Sequence, residues 1–327
     1  MRKAIVTGGL GFIGSHLVDM LIKNGVEVFI VDNKTSNVID GDDRCKVMVM
    51  SVNDSINNKF LPTDADVLFH LASFVGPSGI LKHCGEMGNS IVNDTYNLGN
   101  FCVKNDILFV DISTSEVYGH KSLLDENSEK IYPGKYKVRT EYAAAKMLGE
   151  IIIVNKAKVS NLKYHIIRPF NVAGKRQQPD GGFVLPRFVI SCLTNQPVTI
   201  FGDGEQERAF TDVFDVCNAI LKIVEYKESN IWNIGNAGNR MTINELANRV
   251  IDHVIKRYPK KMFETIHVDP KKIHGHLFSE AIDKIPYTEK MERLLNWKPK
   301  VSIDKTISDI IDYYEEKIKN GYEFKIC

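Results

Sequence analysis

Short runs of β-branched and aliphatic residues alternate with amphipathic stretches through the first half of the chain. That is the pattern of repeated strand–helix–strand units building a parallel sheet. Strands are expected at Ala4 to Thr7, Glu27 to Asp32, Val47 to Met50, Val67 to Leu71, Ile107 to Ser113 and His165 to Arg168. Between them Phe12 to Asn24, Val92 to Asn105 and Tyr142 to Lys156 carry helical spacing. The fold class is therefore α/β, a doubly wound parallel sheet. Beyond Asn171 the alternation gives way to Gly-rich and Pro-rich turns at Asp180-Gly181-Gly182, Phe201-Gly202-Asp203-Gly204 and Pro259. A first domain over residues 1–170 and a smaller, irregular C-terminal domain over residues 171–327 are expected, with some later segments returning to the first.

A length of 327 residues suits one large α/β domain or two intimate ones, and 43% hydrophobic residues supply enough apolar surface for a core. Lys and Arg number 42 against 41 Asp and Glu. That near-balance argues against a global footprint for nucleic acid or an anionic membrane, so an anionic ligand must be held locally. Cys45, Cys84, Cys102, Cys192, Cys217 and Cys327 are scattered, with no zinc-type spacing, and read as reduced, mostly buried thiols. No metal site is expected. MRKAIVTGG runs directly into a strand and no apolar stretch approaches membrane length, so a cytoplasmic location is expected. The basic run Lys256, Arg257, Lys260 and Lys261 reads as a solvated face.

Thr7-Gly8-Gly9-Leu10-Gly11-Phe12-Ile13-Gly14 follows the first strand and opens the first helix. Gly8 serves the tight turn, Gly11 admits a pyrophosphate to the backbone, and Gly14 lets helix and strand pack closely. The helix N-terminus then offers unpaired N–H groups to the phosphates. Asp32 ends the second strand, where a carboxylate accepts hydrogen bonds from the adenosine ribose and repels a 2′-phosphate, which favours NAD over NADP. A Rossmann-type domain follows, with Asn33 beside Asp32 in the same site.

Tyr142 and Lys146 stand four apart on one helix face. A phenol is a poor base at neutral pH, and a nearby ammonium is expected to lower its pKa so that it can take a proton from an alcohol. Upstream, Ser113-Thr114-Ser115-Glu116-Val117-Tyr118-Gly119 places hydroxyls at a strand end, where they can bind the same alcohol.

The chain resembles the extended short-chain dehydrogenase/reductase family, NAD-dependent nucleotide-sugar epimerases, dehydratases and decarboxylases, over most of its length. Thr7 to Gly14 is similar to the family's T-G-G-x-G-F-I-G loop, His70-Leu71-Ala72-Ser73 to H-L-A-[AS], Thr114 to Gly119 to [ST]-x-x-V-Y-G, and Arg168 to Gly174 to R-x-x-N-x-x-G. Val184 to Phe188 and Phe201 to Phe210 resemble the substrate-side segments, and Asn296-Trp297-Lys298-Pro299 resembles G-W-x-P. The resemblance implies NAD contacts from Gly8, Gly11, Phe12, Ile13, Gly14, Asp32, Asn33, Ser51, Val52, Leu71, Ala72, Ser73, Tyr142 and Lys146. It implies substrate contacts from Thr114, Asn171, Arg187 and Arg208, and a homodimer through the helices near Val92 to Asn105 and Tyr142 to Lys156. Four departures stand out. Ser51-Val52 replaces an adenine-contacting Asp, and Ile91-Val92-Asn93-Asp94-Thr95-Tyr96-Asn97 replaces N-x-x-G-T-x-N. Lys284 replaces an Arg near the C-terminus, and Ser73 to Ile80 is unlike commoner members.

By the same resemblance, C4 of a hexose is oxidised with Tyr142 as base, Thr114 holding the hydroxyl, and Lys146 binding the nicotinamide ribose. The 4-keto sugar then has several fates: return of hydride to the other face, loss of water, or loss of CO₂ from a C5 carboxylate. Release of the keto product, and a catalytically idle NAD-binding protein, are the other readings. The triplet Thr114-Ser115-Glu116 and Arg139 resemble dehydratase- and decarboxylase-type members, and Glu116 is the candidate that separates the branches. The leading expectation is a 4-epimerase or 4,6-dehydratase, with a UDP-glucuronate-type decarboxylase as the alternative.

Overall fold

A computed structural model describes residues 1–119, 124–275, 277 and 284–324. Cys327 lies outside them. The central sheet takes its first strands from the expected places: β1 (Lys3–Thr7), β2 (Glu27–Asp32), β3 (Lys46–Val49), β4 (Val67–His70), β5 (Leu108–Ile112) and β6 (Tyr164–Pro169). A seventh, β11 (Asn230–Ile234), pairs with β6, giving the parallel order β11-β6-β5-β4-β1-β2-β3. The chain winds outward from β1 on one side and from β4 on the other. A crevice for ligand therefore opens between the carboxyl ends of β1 and β4.

Both faces of the sheet are covered, as a parallel sheet requires. On one face α1 (Phe12–Lys23) and α7 (Val213–Val224) pack over Val6, Ile30, Phe69 and Val110. On the other, α2 (Val52–Asn57), α4 (Met87–Asn105) and α5 (Val138–Val159) lie over Ile5, Leu68 and Phe109. The period-2 alternation of each strand sends its side chains to these two cores in turn.

The C-terminal part is more regular than its turn-rich sequence suggests. Helices α6 (Val184–Leu193), α8 (Ile243–Arg257) and α11 (Ile303–Lys319) share a second core with Val198 and Ile200. In α8 the buried residues Ile243, Leu246, Ala247, Val250 and Val254 fall on one helical stripe. Thr242 and Glu245 close a capping box at its start, and Ser302 caps α11. Gly181 and Gly182 lie just before α6, and Gly202 and Gly204 follow the strand Val198–Phe201. Short pairs complete this part: β7 (Val172–Ala173) with β10 (Thr211–Asp212), β8 (Val198–Phe201) with β13 (Thr265–Val268), and β9 (Glu207–Ala209) with β12 (Arg240–Thr242). Helices α3 (Gly76–Lys82), α9 (Pro270–His274) and α10 (Glu289–Leu295) are short.

The basic run at the end of α8 is in part structural rather than a purely solvated face. Arg257 reaches Asp312 at 2.5 Å and Ser308 Oγ at 2.9 Å on α11, and Lys261 donates to the Cys192 and Leu193 carbonyls that end α6. Among the described residues no helix is long and apolar enough to cross a membrane.

Candidate active site

A cavity of about 680 Å³ opens at the carboxyl ends of the central strands, and every site residue proposed from the sequence lines it. Its dinucleotide half is built around α1. Gly11 precedes α1 with no side-chain cap, which leaves the first N–H groups of the helix facing the cavity. A Cβ on Gly14 would stand 2.1 Å from the Gly8 carbonyl oxygen, and one on Gly8, whose φ is +72°, 2.6 Å from the Ala72 nitrogen. At Gly11 a Cβ would meet only the Gly8 oxygen, at 3.3 Å. Gly8 and Gly14 thus hold loop, helix and β4 together, and Gly11 keeps the cradle open to phosphate.

The Asp32 carboxylate accepts from the Leu10 nitrogen at 3.0 Å and the Lys34 nitrogen at 2.7 Å, which fixes it on the cavity wall. Asn33 Oδ1 accepts from the Thr35 nitrogen and hydroxyl. Ser51 faces the cavity, yet its hydroxyl caps α2 by accepting from the Asp54 nitrogen and donates to the Asp54 carboxylate. That hydroxyl is engaged in the cap, and Val52 behind it is core. The Ser73 hydroxyl, at the end of the His70 to Ser73 segment, is buried without a hydrogen-bond partner among the described residues. This donor set fits NAD: amides for pyrophosphate and a carboxylate for the ribose.

Thr114 leaves β5 in extended conformation, and its Oγ1 accepts from the Glu116 nitrogen at 3.1 Å. The same hydroxyl favours ionisation of the buried Tyr142 phenol. Tyr142 departs from expectation, for its pKa is raised. Burial is the main cause and the charge of Glu116 adds to it, while Thr114 and Arg139 only partly compensate. The expected helper, Lys146, instead donates to the Ile112 carbonyl at 2.8 Å. Burial pulls the Lys146 ammonium below its usual value against the opposing charges of Asp111, Asp94 and Glu150.

Glu116 is clamped. Its Oε1 lies 3.0 Å from Arg139 Nη1, one turn before Tyr142, and 2.7 Å from Lys284 Nζ. The Lys284 contact is an ion pair rather than an aligned hydrogen bond. Burial, the largest influence, disfavours the Glu116 charge, but Lys284 and then Arg139 outweigh it and hold the carboxyl below its ordinary value. Lys284 is pulled down to about 8 by burial, with Glu116 opposing. Also lining the cavity, Asn171 Nδ2 donates to the Ala209 carbonyl, Arg187 stacks 3.9 Å from the Phe201 ring centre, and Arg208 Nη1 donates to the Glu207 carbonyl.

Two acids around Lys146, Asp94 and Asp111, escaped the sequence reading. Asp111 left a signal, a charge inside the apolar run Leu108-Phe109-Val110-Asp111-Ile112. Asp94 left one too, standing where the family's helix segment carries glycine. Lys284 was visible as a departure, but its reach to Glu116 depends on the tertiary fold.

The model of the NAD dependent epimerase/dehydratase family matches residues 4–235. A UDP-N-acetyl-alpha-D-glucosaminuronate decarboxylase of Bacillus cytotoxicus is 30% identical over 96% of this chain and 98% of its own length. The crystal structure of a UDP-glucose 4-epimerase from Thermotoga maritima, with UDP-glucose, superposes with a TM-score of 0.83 at 27% identity, covering 97% of this chain and 100% of that one. A Bacillus cereus UDP-glucuronic acid 4-epimerase, in complex with UDP-glucuronic acid and NAD, gives 0.79 at 27% identity, covering 98% and 100%.

Proposed function

The chain belongs to the NAD dependent epimerase/dehydratase family, and from that premise we propose that it decarboxylates a UDP-linked hexuronic acid through a 4-keto intermediate. The observation that carries this reading is the clamp on Glu116 beside Thr114 and Tyr142. Dehydration across C5 and C6 needs a base to take the C5 proton. A carboxylate paired to two cations and held below its normal pKa is a weak base. Loss of CO₂ makes no such demand. This reading replaces the sequence's leading expectation with its alternative.

When bound, NAD would supply the hydride acceptor for oxidation at C4 and the donor for the later reduction. Tyr142 takes the C4 hydroxyl proton while Thr114 holds the oxygen, leaving a ketone beside the C5 carboxylate. The C5–C6 bond then breaks, CO₂ departs with C6, and the electron pair delocalises from C5 onto O4. A proton added at C5 restores the ketone, which is then reduced with return of the Tyr142 proton to O4. One proton is consumed overall. Arg139 and Lys284 keep Glu116 ionised and in place throughout.

A 4-epimerase is the second reading, favoured by the likeness to the two 4-epimerase structures. Incubation with UDP-glucuronic acid and its N-acetylamino analogue in D₂O separates the two. Decarboxylation yields a product lighter by CO₂ with deuterium at C5, whereas epimerisation leaves the formula unchanged and C5 unlabelled. Product of unchanged formula would overturn the decarboxylase reading. The reading includes a homodimer through α4 and α5, supported by the exposed Tyr96, Leu148 and Ile151 on those helices.

A further inference from the structure

Lys146 is buried, and among the described residues its side chain hydrogen-bonds only the carbonyl of Ile112, next to Asp111 on β5, so its charge needs a local counter-charge. Its charge interacts with four titratable groups. Glu150, on its own helix, is committed elsewhere: its oxygens take Arg168 at 2.9 and 2.5 Å and the Ser113 hydroxyl at 2.5 Å. His70, on β4, is held neutral, pushed down to about 3 by burial and then by the Lys146 charge. Its Nδ1 pairs with Thr7 Oγ1, and its Nε2 has no partner among the described residues.

Two carboxylates remain, from two other elements. Asp111, on β5, is the register neighbour of His70, and its Oδ1 is buried without a hydrogen-bond partner among the described residues. Burying an acid in a strand is costly unless something nearby uses the charge. Asp94, on α4, lines the cavity wall, where Asn53 Nδ2 donates to it at 2.8 Å and Asn97 in turn steadies Asn53 at 2.7 Å. Side-chain amides thus hold this carboxylate on the cavity wall. Neither acid is explained by the fold.

We propose that Asp111 and Asp94 form an acidic seat for Lys146, positioning residues that keep its ammonium charged within the buried site where it binds the cofactor ribose. Burial raises both acids to about 6, while Lys146 draws both down, as expected of groups sharing charge in a closed site. The inference rests on the reading of Lys146 as a cofactor ligand, and its test needs neither NAD nor sugar. A failed test is therefore distinguishable from a failed decarboxylase reading.

The test is an NMR titration of protein labelled with ¹³C at lysine Cε, the Lys146 signal being assigned by its loss in Lys146→Arg. Asp94→Asn and Asp111→Asn should each lower the Lys146 midpoint by about one pH unit or more. Asp94→Glu should keep the parent midpoint, since charge rather than shape is responsible. Asp94→Asn is isosteric and on the cavity wall, so it decides alone should Asp111→Asn not fold. A midpoint unmoved in the asparagine variants that fold, or moved as far in Asp94→Glu, overturns the proposal.

Discussion

Replacing Glu116 by Gln removes one charge from a three-membered cluster and keeps its shape. Lys284 then keeps a buried ammonium whose carboxylate partner at 2.7 Å is gone, and Arg139 loses its partner at 3.0 Å. Taking one member from a buried pair costs about 3 to 5 kcal/mol. The Glu116 side chain retains 21% exposure against 5% for Lys284, which places the effect near the lower end, about 3 kcal/mol. At about 2 °C per kcal/mol for a chain of this size, the melting temperature should fall by about 6 °C. Lys284→Met should recover much of the loss when added to Glu116→Gln, because it removes the stranded ammonium and offers an apolar side chain of similar length. Melting curves and equilibrium denaturation of the parent, both single variants and the double variant give the coupling directly. A value of about 2 kcal/mol is expected, and one below about 0.5 kcal/mol would refute the clamp.

Tyr142→Phe should abolish turnover of every nucleotide-sugar substrate yet retain NAD, read by denaturing the protein and identifying the released nucleotide. Gly14→Ala would force its Cβ against the Gly8 carbonyl oxygen, a backbone atom that cannot swing away. A destabilisation of about 3 kcal/mol or more, together with loss of NAD, is expected from denaturation and calorimetry. Lys284 sits at about 8 in the folded chain against an ordinary 10.5. Between those values the unfolded chain binds the extra proton, so stability should rise with pH across that window, and Lys284→Met should lose the rise. Ile151→Asp should shift light scattering from dimer to monomer. A parent that is already monomeric at micromolar concentration removes the dimer from the reading.

Much of the first half was legible because each strand and helix there is specified locally, by β-branched runs, helical spacing and glycines at the turns. The glycine loop after β1 was legible for the same reason, since Gly14 packs on the nearby Gly8 carbonyl and Asp32 ends β2, whereas the approach of Gly8 to Ala72 depends on the tertiary fold. The C-terminal helices were harder to see. In α8 the apolar stripe is interrupted by Asn244, Glu245, Asn248 and Arg249 and becomes a helix face only against α6 and α11. The charge environment was the least visible. Glu116 meets Lys284 across a separation that no local pattern encodes, and the Tyr142–Lys146 spacing says nothing of the Ile112 carbonyl that captures the ammonium.

That last contact changes how the pair should be understood. Four-residue spacing guarantees a shared helix face, yet charge stabilisation depends on where the long lysine side chain ends. Here it ends on the Ile112 carbonyl and feels the charges of Asp111 and Asp94, while the phenol feels Thr114 and Glu116. The negative charge that suits Glu116 to its clamp opposes ionisation of Tyr142, so the two demands compete within one site. Arg139 reconciles them, since it pairs with Glu116 and lowers the Tyr142 pKa as well. Arg139→Met should therefore act on both at once, weakening the clamp and raising the pH at which Tyr142 can work as a base. The alkaline shift of the rate profile should be larger than in Arg139→Lys, which keeps the charge. Equal profiles for the two variants would show that the Arg139 charge does not reach the phenol.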